Sequence, residues 1–257
     1  MSTVSRLANK TVLVTGATSG IGVEIARVCV EEGATVAVAG RNHQRGKAVA
    51  AELGPQAAFV PLDVSQEPSW QEAFDQLKQE FGRIDVLVNN AGIMAPGGIA
   101  DTSVDGFQQT MMTNAGGVFL GCQYAIADMA SRGARGSIVN VLSTTALKTS
   151  AWTLAYGASK AASLSLTKSV ALHCAESGYD IRCNAVLPGV VMTPMVEGVV
   201  STAPDREAAL AQLSAQHPIG RMLEAREVAM AVLYFASDES SGVTGTHFAV
   251  DGGMTAA

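Results

Sequence analysis

The hydrophobic positions of this chain fall into short runs that are separated by longer stretches of mixed polarity. Apolar residues dominate seven runs: residues 11–14, 35–39, 57–62, 85–88, 137–142, 180–187 and 246–250. A strand with one solvated face alternates apolar and polar residues, whereas a strand buried on both faces is almost continuously apolar. The runs therefore predict seven strands of a parallel sheet that helices cover on both faces.

The stretches between these runs carry apolar residues at helical spacing. They predict helices over residues 23–32, 43–53, 66–81, 105–129, 155–176, 205–216 and 227–236. The helix over 105–129 contains Gly116 and Gly117, which together cost about 2 kcal/mol relative to alanine in a helix interior and predict an interruption at 113–117. Strands that alternate with helices along the whole chain predict one α/β domain over residues 1–257, a Rossmann-type, doubly wound sheet.

Composition excludes several classes of function. The chain has 257 residues, of which 48% are hydrophobic, and a net charge of −6, so we expect a large core and no nucleic-acid partner. Its four cysteines and four histidines lack metal-ligand spacing, so we expect buried reduced thiols and no metal site. No apolar stretch has the character of a membrane span, and the N-terminus lacks a signal-peptide core, which predicts a cytoplasmic protein.

A glycine-rich turn follows the first predicted strand. Residues 15–22 have the sequence Thr-Gly-Ala-Thr-Ser-Gly-Ile-Gly and lead into the first predicted helix. Glycines allow a tight turn and the close approach of a pyrophosphate, which then lies at the positive N-terminus of the helix. This succession of strand, turn and helix predicts a dinucleotide site.

The residues after the second predicted strand bear on the choice of nicotinamide cofactor. An acid there accepts hydrogen bonds from the ribose of NAD(H), whereas an arginine pairs with the 2′-phosphate of NADP(H). The chain has Gly40, Arg41 and Asn42 at this place. NADP(H) is therefore favoured, and NAD(H) remains possible because the glycine-rich turn contains no basic residue.

Two further strand ends are expected to contact the same ligand. Asp63 follows the third run and can bond an adenine amino group, while Val64 offers its backbone. After the fourth run, small residues and a side-chain amide suit a backbone that passes close to a ligand: Asn90, Ala91 and Gly92.

Tyr156 and Lys160 are four residues apart in the predicted helix 155–176, so they share one face. A phenol titrates near ~10, and a nearby cation lowers that pKa. Lys160 together with a cationic cofactor in a dry cleft is expected to make Tyr156 an acid–base group at neutral pH. Ser143 ends the fifth run, thirteen residues before Tyr156, at the sheet edge where open parallel sheets bind ligands. Asn114 lies in the interrupted helix, where it can hold a water behind the site.

In chain order these motifs resemble those of the short-chain dehydrogenase/reductase family from about residue 8 to the C-terminus. The matching motifs are Thr15-Gly16-x-x-x-Gly20-x-Gly22, Asn89-Asn90-Ala91-Gly92, Asn114, Ser143 and Tyr156-x-x-x-Lys160. The resemblance implies a cofactor-binding half at about residues 8–145, followed by a catalytic helix and substrate loop at about residues 146–218.

The resemblance also implies a role for each site residue. Tyr156 is the general acid in reduction and the base in oxidation, and Lys160 lowers its pKa and bonds the nicotinamide ribose. Ser143 donates to the substrate oxygen, and Asn114 holds a water that links Lys160 to solvent. The full set expected to contact the cofactor is Gly16, Thr18, Ser19, Gly20, Ile21, Gly22, Arg41, Asn42, Asp63, Val64, Asn90, Ala91, Gly92, Tyr156, Lys160, Pro188, Gly189, Val191 and Thr193.

The substrate is expected to be a hydrophobic ketone or secondary alcohol. Residues 119–123 and 178–182 resemble bacterial hydroxysteroid and cyclic-alcohol dehydrogenases of this family, and residues 190–218 are loosely apolar, as a lid or an interface would be. The expected wall of the substrate pocket is mostly apolar: Met94, Ser143, Thr145, Leu147, Trp152, Met192 and Met195.

Two alternatives remain open at this point. A 3-oxoacyl-carrier-protein reductase would dock an acidic carrier on basic residues; Arg132 and Arg135 offer some, but residues 176–180 are acidic. A non-catalytic, nucleotide-sensing protein generally lacks the tyrosine or the lysine, and both are intact here. The family resemblance further implies a homotetramer in which the helices over 105–129 and 155–176 pack between subunits.

Overall fold

The seven apolar runs form one parallel sheet in the computed structural model, which describes residues 5–256. The strand order is β3-β2-β1-β4-β5-β6-β7, and every neighbouring pair is parallel. The prediction of a doubly wound sheet is confirmed. The strands are β1 (Thr11–Thr15), β2 (Thr35–Gly40), β3 (Ala57–Pro61), β4 (Val86–Asn89), β5 (Gly136–Val141), β6 (Ile181–Pro188) and β7 (His247–Val250).

The helices connect successive strands, as the apolar spacing predicts. The interruption expected at 113–117 is a π turn, Met112–Gly116, which divides the predicted helix into two. The helices are α1 (Ile21–Glu31), α2 (His43–Leu53), α3 (Glu67–Glu80), α4 (Val104–Met111), α5 (Gly117–Ser131), α6 (Leu154–Glu176), α7 (Pro194–Val200), α8 (Arg206–Ala215) and α9 (Ala225–Ala236).

Helix α7 was not predicted, although its start carries a recognisable signal. Thr193 is its N-cap, and its hydroxyl accepts a hydrogen bond from the backbone N–H of Val196 at 3.4 Å. Pro194 occupies the first turn, where the missing N–H of proline has no helical partner to lose. The loosely apolar stretch 190–218 therefore contains a helix that the hydrophobic spacing did not predict.

Alternate residues of each strand pack against helices on opposite faces of the sheet. In β1, Val12 and Val14 join the core cluster formed with α1 and α9, whereas Leu13 joins the cluster formed with α3, α5 and α6. Trp70 is fully buried in the second cluster. Burial on both faces is the physical reason that the strands are apolar without alternation.

The chain reverses its direction of winding between β1 and β4, which are neighbours in the sheet. The loops that leave these two strands diverge to opposite faces, so a crevice opens at their carboxyl ends. The glycine-rich turn and residues 90–93 border this crevice.

Several kinds of chemistry find no support in the described residues. The cysteines are free and buried, and burial raises the pKa of the Cys29 thiol to about 12, so it stays protonated. Over residues 5–256 no group of three or more His, Cys, Asp and Glu side chains is arranged to hold a metal. Within that same range, no helix combines the length and the apolar character needed to cross a membrane.

Candidate active site

A cleft of about 580 Å³ runs along the carboxyl ends of β1, β2, β3 and β4. Most residues expected to contact a cofactor line this cleft: Gly16, Thr18, Ser19, Gly20, Ile21, Arg41, Asn42, Asp63, Val64, Asn90, Ala91, Gly92, Tyr156, Lys160 and Thr193. Pro188, Gly189 and Val191 instead line a second, adjoining cavity. Met195, expected at the substrate wall, also borders this cleft. Sequence reasoning missed the other residues that complete the cleft wall: Gly40, Arg45, Leu62, Ile93, Thr113, Val141, Leu142 and Pro194.

The glycine-rich turn brings bare backbone to the cleft. Gly16 and Gly20 have φ of 66° and 58°, in the left-handed region that glycine tolerates. Gly20 is the N-cap of α1 and contributes no side-chain cap, so the first N–H groups of α1 face the cleft without that partner. This arrangement suits an anionic pyrophosphate.

Gly22 packs inside the turn and does not line the cleft. A Cβ at this position would lie 2.5 Å from the carbonyl oxygen of Gly16 and 2.6 Å from Nδ2 of Asn90. Gly22 is therefore needed for the close packing of α1 on the turn, and a direct cofactor contact at this residue stays a prediction.

Hydrogen bonds fix the loop after β4 against the glycine-rich turn. The Thr15 hydroxyl accepts from the backbone N–H groups of Asn90 and Ala91, each at 3.0 Å. The Asn90 amide donates in return to the carbonyl oxygen of Thr15 at 3.0 Å. These contacts fix the loop after β1 and the loop after β4 relative to each other at the crevice.

Two arginines stand at the end of the cleft next to β2. Arg41 and Arg45 both line it and are both exposed. Asn42 caps α2 by accepting from the backbone N–H of Arg45 at 2.9 Å, so its side-chain oxygen serves the helix. This cap begins α2, whose first turn brings Arg45 into the wall of the same cleft as Arg41.

Asp63 and Val64 reach the cleft with part of their bonding capacity already used. One carboxylate oxygen of Asp63 accepts from the N–H and the hydroxyl of Ser65, at 3.0 and 2.7 Å. The carbonyl oxygen of Val64 accepts from the Trp70 indole at 3.0 Å. The second Asp63 oxygen remains the group best placed to bond an amine in the cleft.

Tyr156 and Lys160 share one face of α6, as their spacing predicts. The Lys160 ammonium lies 5.5 Å from the centroid of the Tyr156 ring and donates to the carbonyl oxygen of Val141 at 3.3 Å. The Lys160 side chain is buried, and this burial lowers its pKa from 10.5 to about 8. The lysine therefore sits where its charged form is disfavoured.

The Tyr156 phenol is held in its protonated form by the protein. Burial raises its pKa, and the interaction with the Ser143 hydroxyl works in the opposite direction without cancelling that rise. Ser143 Oγ accepts from the backbone N–H of Thr145 at 3.2 Å, which leaves the Ser143 proton free to be donated elsewhere. In the protein alone, desolvation thus outweighs the lowering of the Tyr156 pKa expected from Lys160.

The side chain of Asn114 is fully engaged. Its oxygen accepts from the Ile93 N–H at 2.9 Å, and its amide donates to the Ile93 carbonyl at 3.0 Å and to Ser159 Oγ at 2.9 Å. Asn114 therefore ties the π turn to the loop after β4 and to α6. Within the described residues no hydrogen bond joins it to Lys160, and the water expected between them stays a prediction.

A second cavity, of about 510 Å³, opens beside Tyr156 and is largely apolar. Five residues of the expected substrate wall line it: Met94, Ser143, Thr145, Trp152 and Met195. Leu147 and Met192 do not, and their side chains are 49% and 40% exposed. Helices α7 and α8 supply wall residues that the sequence reasoning missed, namely Val196, Val199 and Leu213, and the C-terminal segment supplies Met254.

Local turns decide which neighbouring residues border the cavity. Residues 144–146 form a 3₁₀ turn, after which Lys148 borders the cavity and the exposed Leu147 does not. Met192 precedes the N-cap of α7, whereas Met195 in the first turn of α7 borders the cavity. Substrate contacts at Leu147 and Met192 stay predictions.

The two cavities meet at Tyr156. Both are lined by Ile21, Leu142, Tyr156, Thr193 and Met195. A ligand in the first cavity and a ligand in the second would therefore touch across the phenol, with Ser143 on the side of the second cavity. The arrangement suits a transfer between two bound molecules with a proton donor at the point of contact.

Comparison with known proteins gives similarity over nearly the whole chain. Residues 16–255 match the family model described as enoyl-(acyl carrier protein) reductase. The chain is 38% identical to an NADP-dependent (R)-specific alcohol dehydrogenase of Lentilactobacillus kefiri, over 98% of both proteins. It is 37% identical to a 3-beta-hydroxysteroid dehydrogenase of Comamonas testosteroni, over 96% of both proteins. It is 41% identical to a 3-alpha-(or 20-beta)-hydroxysteroid dehydrogenase of Mycobacterium tuberculosis H37Rv, over 98% of this chain and 91% of the relative.

Proposed function

The chain belongs to the short-chain dehydrogenase/reductase family, and the relatives named above are oxidoreductases that act on CH–OH groups; from this premise we propose its specific reaction. It transfers a hydride between NADP(H) and a hydrophobic ketone or secondary alcohol, with Tyr156 as the general acid or base. The single observation that carries the proposal is the meeting of a nucleotide-shaped cleft and an apolar cavity at Tyr156.

The site residues divide the proton chemistry of reduction. Burial keeps the Tyr156 phenol protonated, so it can give its proton to the carbonyl oxygen of the substrate. Ser143, whose hydroxyl already accepts from Thr145, donates to the same oxygen as negative charge develops there. Lys160, beside the ring, is placed to return a proton to the phenolate. The nicotinamide ring, when bound in the cleft, supplies the hydride.

Replacement of Tyr156 by Phe tests this mechanism directly. Because the phenol proton is lost and the ring retained, kcat should fall about 10²–10⁴-fold while NADPH still binds with nearly unchanged affinity. Initial rates at 340 nm and quenching of protein fluorescence by NADPH measure the two quantities. Tyr179→Phe, at an exposed residue beyond α6, is the matched control. Turnover retained by Tyr156→Phe would refute the assigned role.

The preference for NADP(H) rests on Arg41 and Arg45. Both arginines border the end of the cleft next to β2, where a ribose phosphate would lie, and the cleft has no carboxylate immediately after β2. The NADP dependence named for the Lentilactobacillus relative points the same way. Charge-assisted bonds to a phosphate are worth about 1.5–3 kcal/mol each.

Steady-state kinetics with both cofactors test the preference. Arg41→Ala and Arg45→Ala should each raise the KM for NADPH about ten-fold or more, with little change for NADH, because only NADPH carries the 2′-phosphate. Arg206→Ala, at an exposed arginine paired with Glu197 on α7, is the control. A lower KM and a higher kcat with NADH than with NADPH in the unmodified protein would overturn the assignment.

The substrate class is proposed from the wall of the second cavity. Met94, Trp152 and Met195 give it an apolar lining that adapts to varied shapes. The relatives are named for a simple alcohol dehydrogenase and for steroid dehydrogenases, so their names span small and large secondary alcohols. A panel of aliphatic, aryl, cyclic and steroid ketones, run with each cofactor, identifies the size that fits.

Reduction of a 3-oxoacyl group on an acyl carrier protein is the second candidate, and the carrier named in the family-model description is the observation that favours it. The basic residues available for docking are already paired. Arg135 bonds Asp180 at 2.9 Å, and Arg132 bonds Asp128 at 2.7 Å. Faster turnover of a carrier-bound 3-oxoacyl thioester than of every free ketone would favour this second function.

A homotetramer is part of the proposal. Apolar side chains are exposed on the helices that the family resemblance places between subunits, including Phe107, Met112, Phe119 and Leu172. Exposed apolar surface of this kind is typical of interfaces. Light scattering should give about four chain masses, and a monomer would refute the assignment.

We also propose a cytoplasmic location, supported by the free, buried thiols and testable by cell fractionation.

A further inference from the structure

Two buried hydroxyl groups in the wall of the second cavity have no hydrogen-bond partner. They are Oγ1 of Thr145 and Oγ1 of Thr153, and no other buried side-chain nitrogen or oxygen in residues 5–256 lacks a partner. Both residues line the second cavity, but each of these oxygens is itself buried, so rotation about χ1 is needed to turn the hydroxyl toward the cavity. Buried polar groups in folded proteins are almost always paired, so each exception calls for an explanation.

The position of Thr153 makes its free hydroxyl more informative. Thr153 is the N-cap of α6, the place where a threonine side chain ordinarily accepts from the first turn of its helix. Its residue is only 6% exposed, and its hydroxyl makes no capping bond. By contrast, the caps of α4 and α7, Ser103 and Thr193, both accept such a bond. The Thr153 hydroxyl is thus neither solvated nor used by the helix.

Both hydroxyls are close to the reacting centre along the chain. Thr145 follows Ser143 by two residues, and its N–H donates to Ser143 Oγ at 3.2 Å. Thr153 precedes Tyr156 by three residues and is tied to α6 by its carbonyl, which accepts from the Gly157 N–H at 2.8 Å. The same wall therefore holds two groups that can bind the reacting oxygen and two further hydroxyls that are not needed for it.

We propose that Thr145 and Thr153 bind a second oxygen of the substrate, so that the preferred substrate is a ketone carrying a neutral hydroxyl or carbonyl group in addition to the reacting one. The inference rests on the proposed reduction of ketones at Tyr156 and narrows its substrate class. A threonine hydroxyl both donates and accepts, which suits either a hydroxyl or a carbonyl. Lys148 is the one charged residue that lines the second cavity, and it is exposed and donates to the Met254 carbonyl at 3.4 Å. The other lining residues are uncharged, which favours a neutral second group.

A purely packing role for these side chains predicts something different. Valine has the shape of threonine without the hydroxyl, and it would fill the same wall space in an apolar cavity. If the hydroxyl serves packing alone, the valine variant should have an unchanged ratio of kcat/KM between any two substrates. A hydroxyl that binds an oxygen changes the discrimination between substrates that differ only in that oxygen.

Pairs of substrates of equal size and different polarity separate the two roles. We would measure kcat/KM for 4-hydroxycyclohexanone against 4-methylcyclohexanone, and for 2-hydroxycyclohexanone against 2-methylcyclohexanone, which vary the distance between the two groups. The protein should prefer the hydroxy ketone of one pair about ten-fold or more, because its hydroxyl finds a partner that a methyl group lacks. Thr153→Val or Thr145→Val should remove most of that preference, because the variant loses more kcat/KM for the hydroxy ketone than for the methyl ketone.

Thr110→Val is the matched control, because Thr110 is as buried as Thr153 and its hydroxyl already donates within α4 to the Gly106 carbonyl at 2.9 Å. This control should lower the melting temperature and leave the ratio of kcat/KM between the hydroxy and methyl ketones unchanged. Thr153→Val should not lower the melting temperature, since no bond of the folded protein is lost. If neither valine variant alters the ratio between paired ketones by more than about two-fold, the inference is overturned. If no ketone is reduced with either cofactor, the proposed function itself fails.

Discussion

Replacement of Lys160 by Met should make the protein more stable at neutral pH while it abolishes turnover. The Lys160 side chain is 4% exposed, and its ammonium bonds only the Val141 carbonyl, at 3.3 Å. In the described part of the chain no carboxylate lies within salt-bridge distance of it. A buried charge with so few partners costs folding free energy, which methionine of similar length does not incur.

The size and the sign of this cost follow from the pKa. Burial lowers the pKa of Lys160 from 10.5 to about 8, and at about 1.36 kcal/mol per pKa unit this difference amounts to about 3 kcal/mol. Below pH 8 the lysine is charged in both the folded and the unfolded chain, so the folded state bears the whole cost. Between the two pKa values only the unfolded chain is charged, and stability rises with pH; above both the cost is gone.

Urea unfolding followed by circular dichroism, without added cofactor, measures the effect. At pH 7 Lys160→Met should exceed the unmodified protein by up to about 3 kcal/mol, and the excess should shrink as the pH rises toward 10. Lys168→Met, on the exposed face of the same helix, should stay within about 0.5 kcal/mol at every pH. A Lys160→Met protein that is no more stable at pH 7, or whose gain does not depend on pH, would refute the reasoning.

The remaining predictions concern stability and need only the same unfolding assay. Gly46→Ala should lose about 1–3 kcal/mol, because the new Cβ would lie 2.1 Å from the buried Phe59 ring. Gly198→Ala, which meets open space in α7, should gain up to about 1 kcal/mol. Arg182→Met should lose roughly 2–3 kcal/mol because backbone carbonyls and a serine hydroxyl lose a buried charged donor. Arg226→Ala should lose less than about 1 kcal/mol, because the Arg226 side chain is half exposed in both of its glutamate pairs.

The sheet was predictable because burial on both faces leaves a direct trace in composition. Each run of apolar residues became a strand whose ends differ from the prediction by at most one residue, since hydropathy does not specify the hydrogen bonds that define a strand end. The π turn was predictable as a weak point from Gly116 and Gly117, but its wider winding was not. That winding depends on bonds between the Asn114 side chain and Ile93, which lie 21 residues apart in the chain.

The site was predictable where function rests on spacing within one element and less so where it rests on tertiary contacts. Tyr156 and Lys160 share a face because a helix repeats every ~3.6 residues. Arg45 was absent from the residues expected to contact the cofactor, because its place in the cleft wall depends on how α2 begins at the Asn42 cap. The free hydroxyl of Thr153 could not be inferred at all, since a threonine at a helix start is normally a cap, and only the structure reveals that this one is not.

Burial connects these features into one physical picture of the site. The desolvation that lowers the pKa of Lys160 also raises that of Tyr156, so each shift favours the neutral form of its group. At pH 7 the Tyr156 phenol is neutral, whereas Lys160, with a pKa of about 8, still carries its charge. In the proposed reaction a neutral phenol is the form that the general acid needs, so reduction has its proton donor at neutral pH. Oxidation would need the phenolate, which the same burial disfavours, and its rate should rise with pH through the range in which Tyr156 loses its proton. The folding cost that Lys160→Met removes is thus the cost of holding a charged ammonium beside the phenol in a dry cleft, where the charge of a bound ligand has its greatest influence on both pKa values.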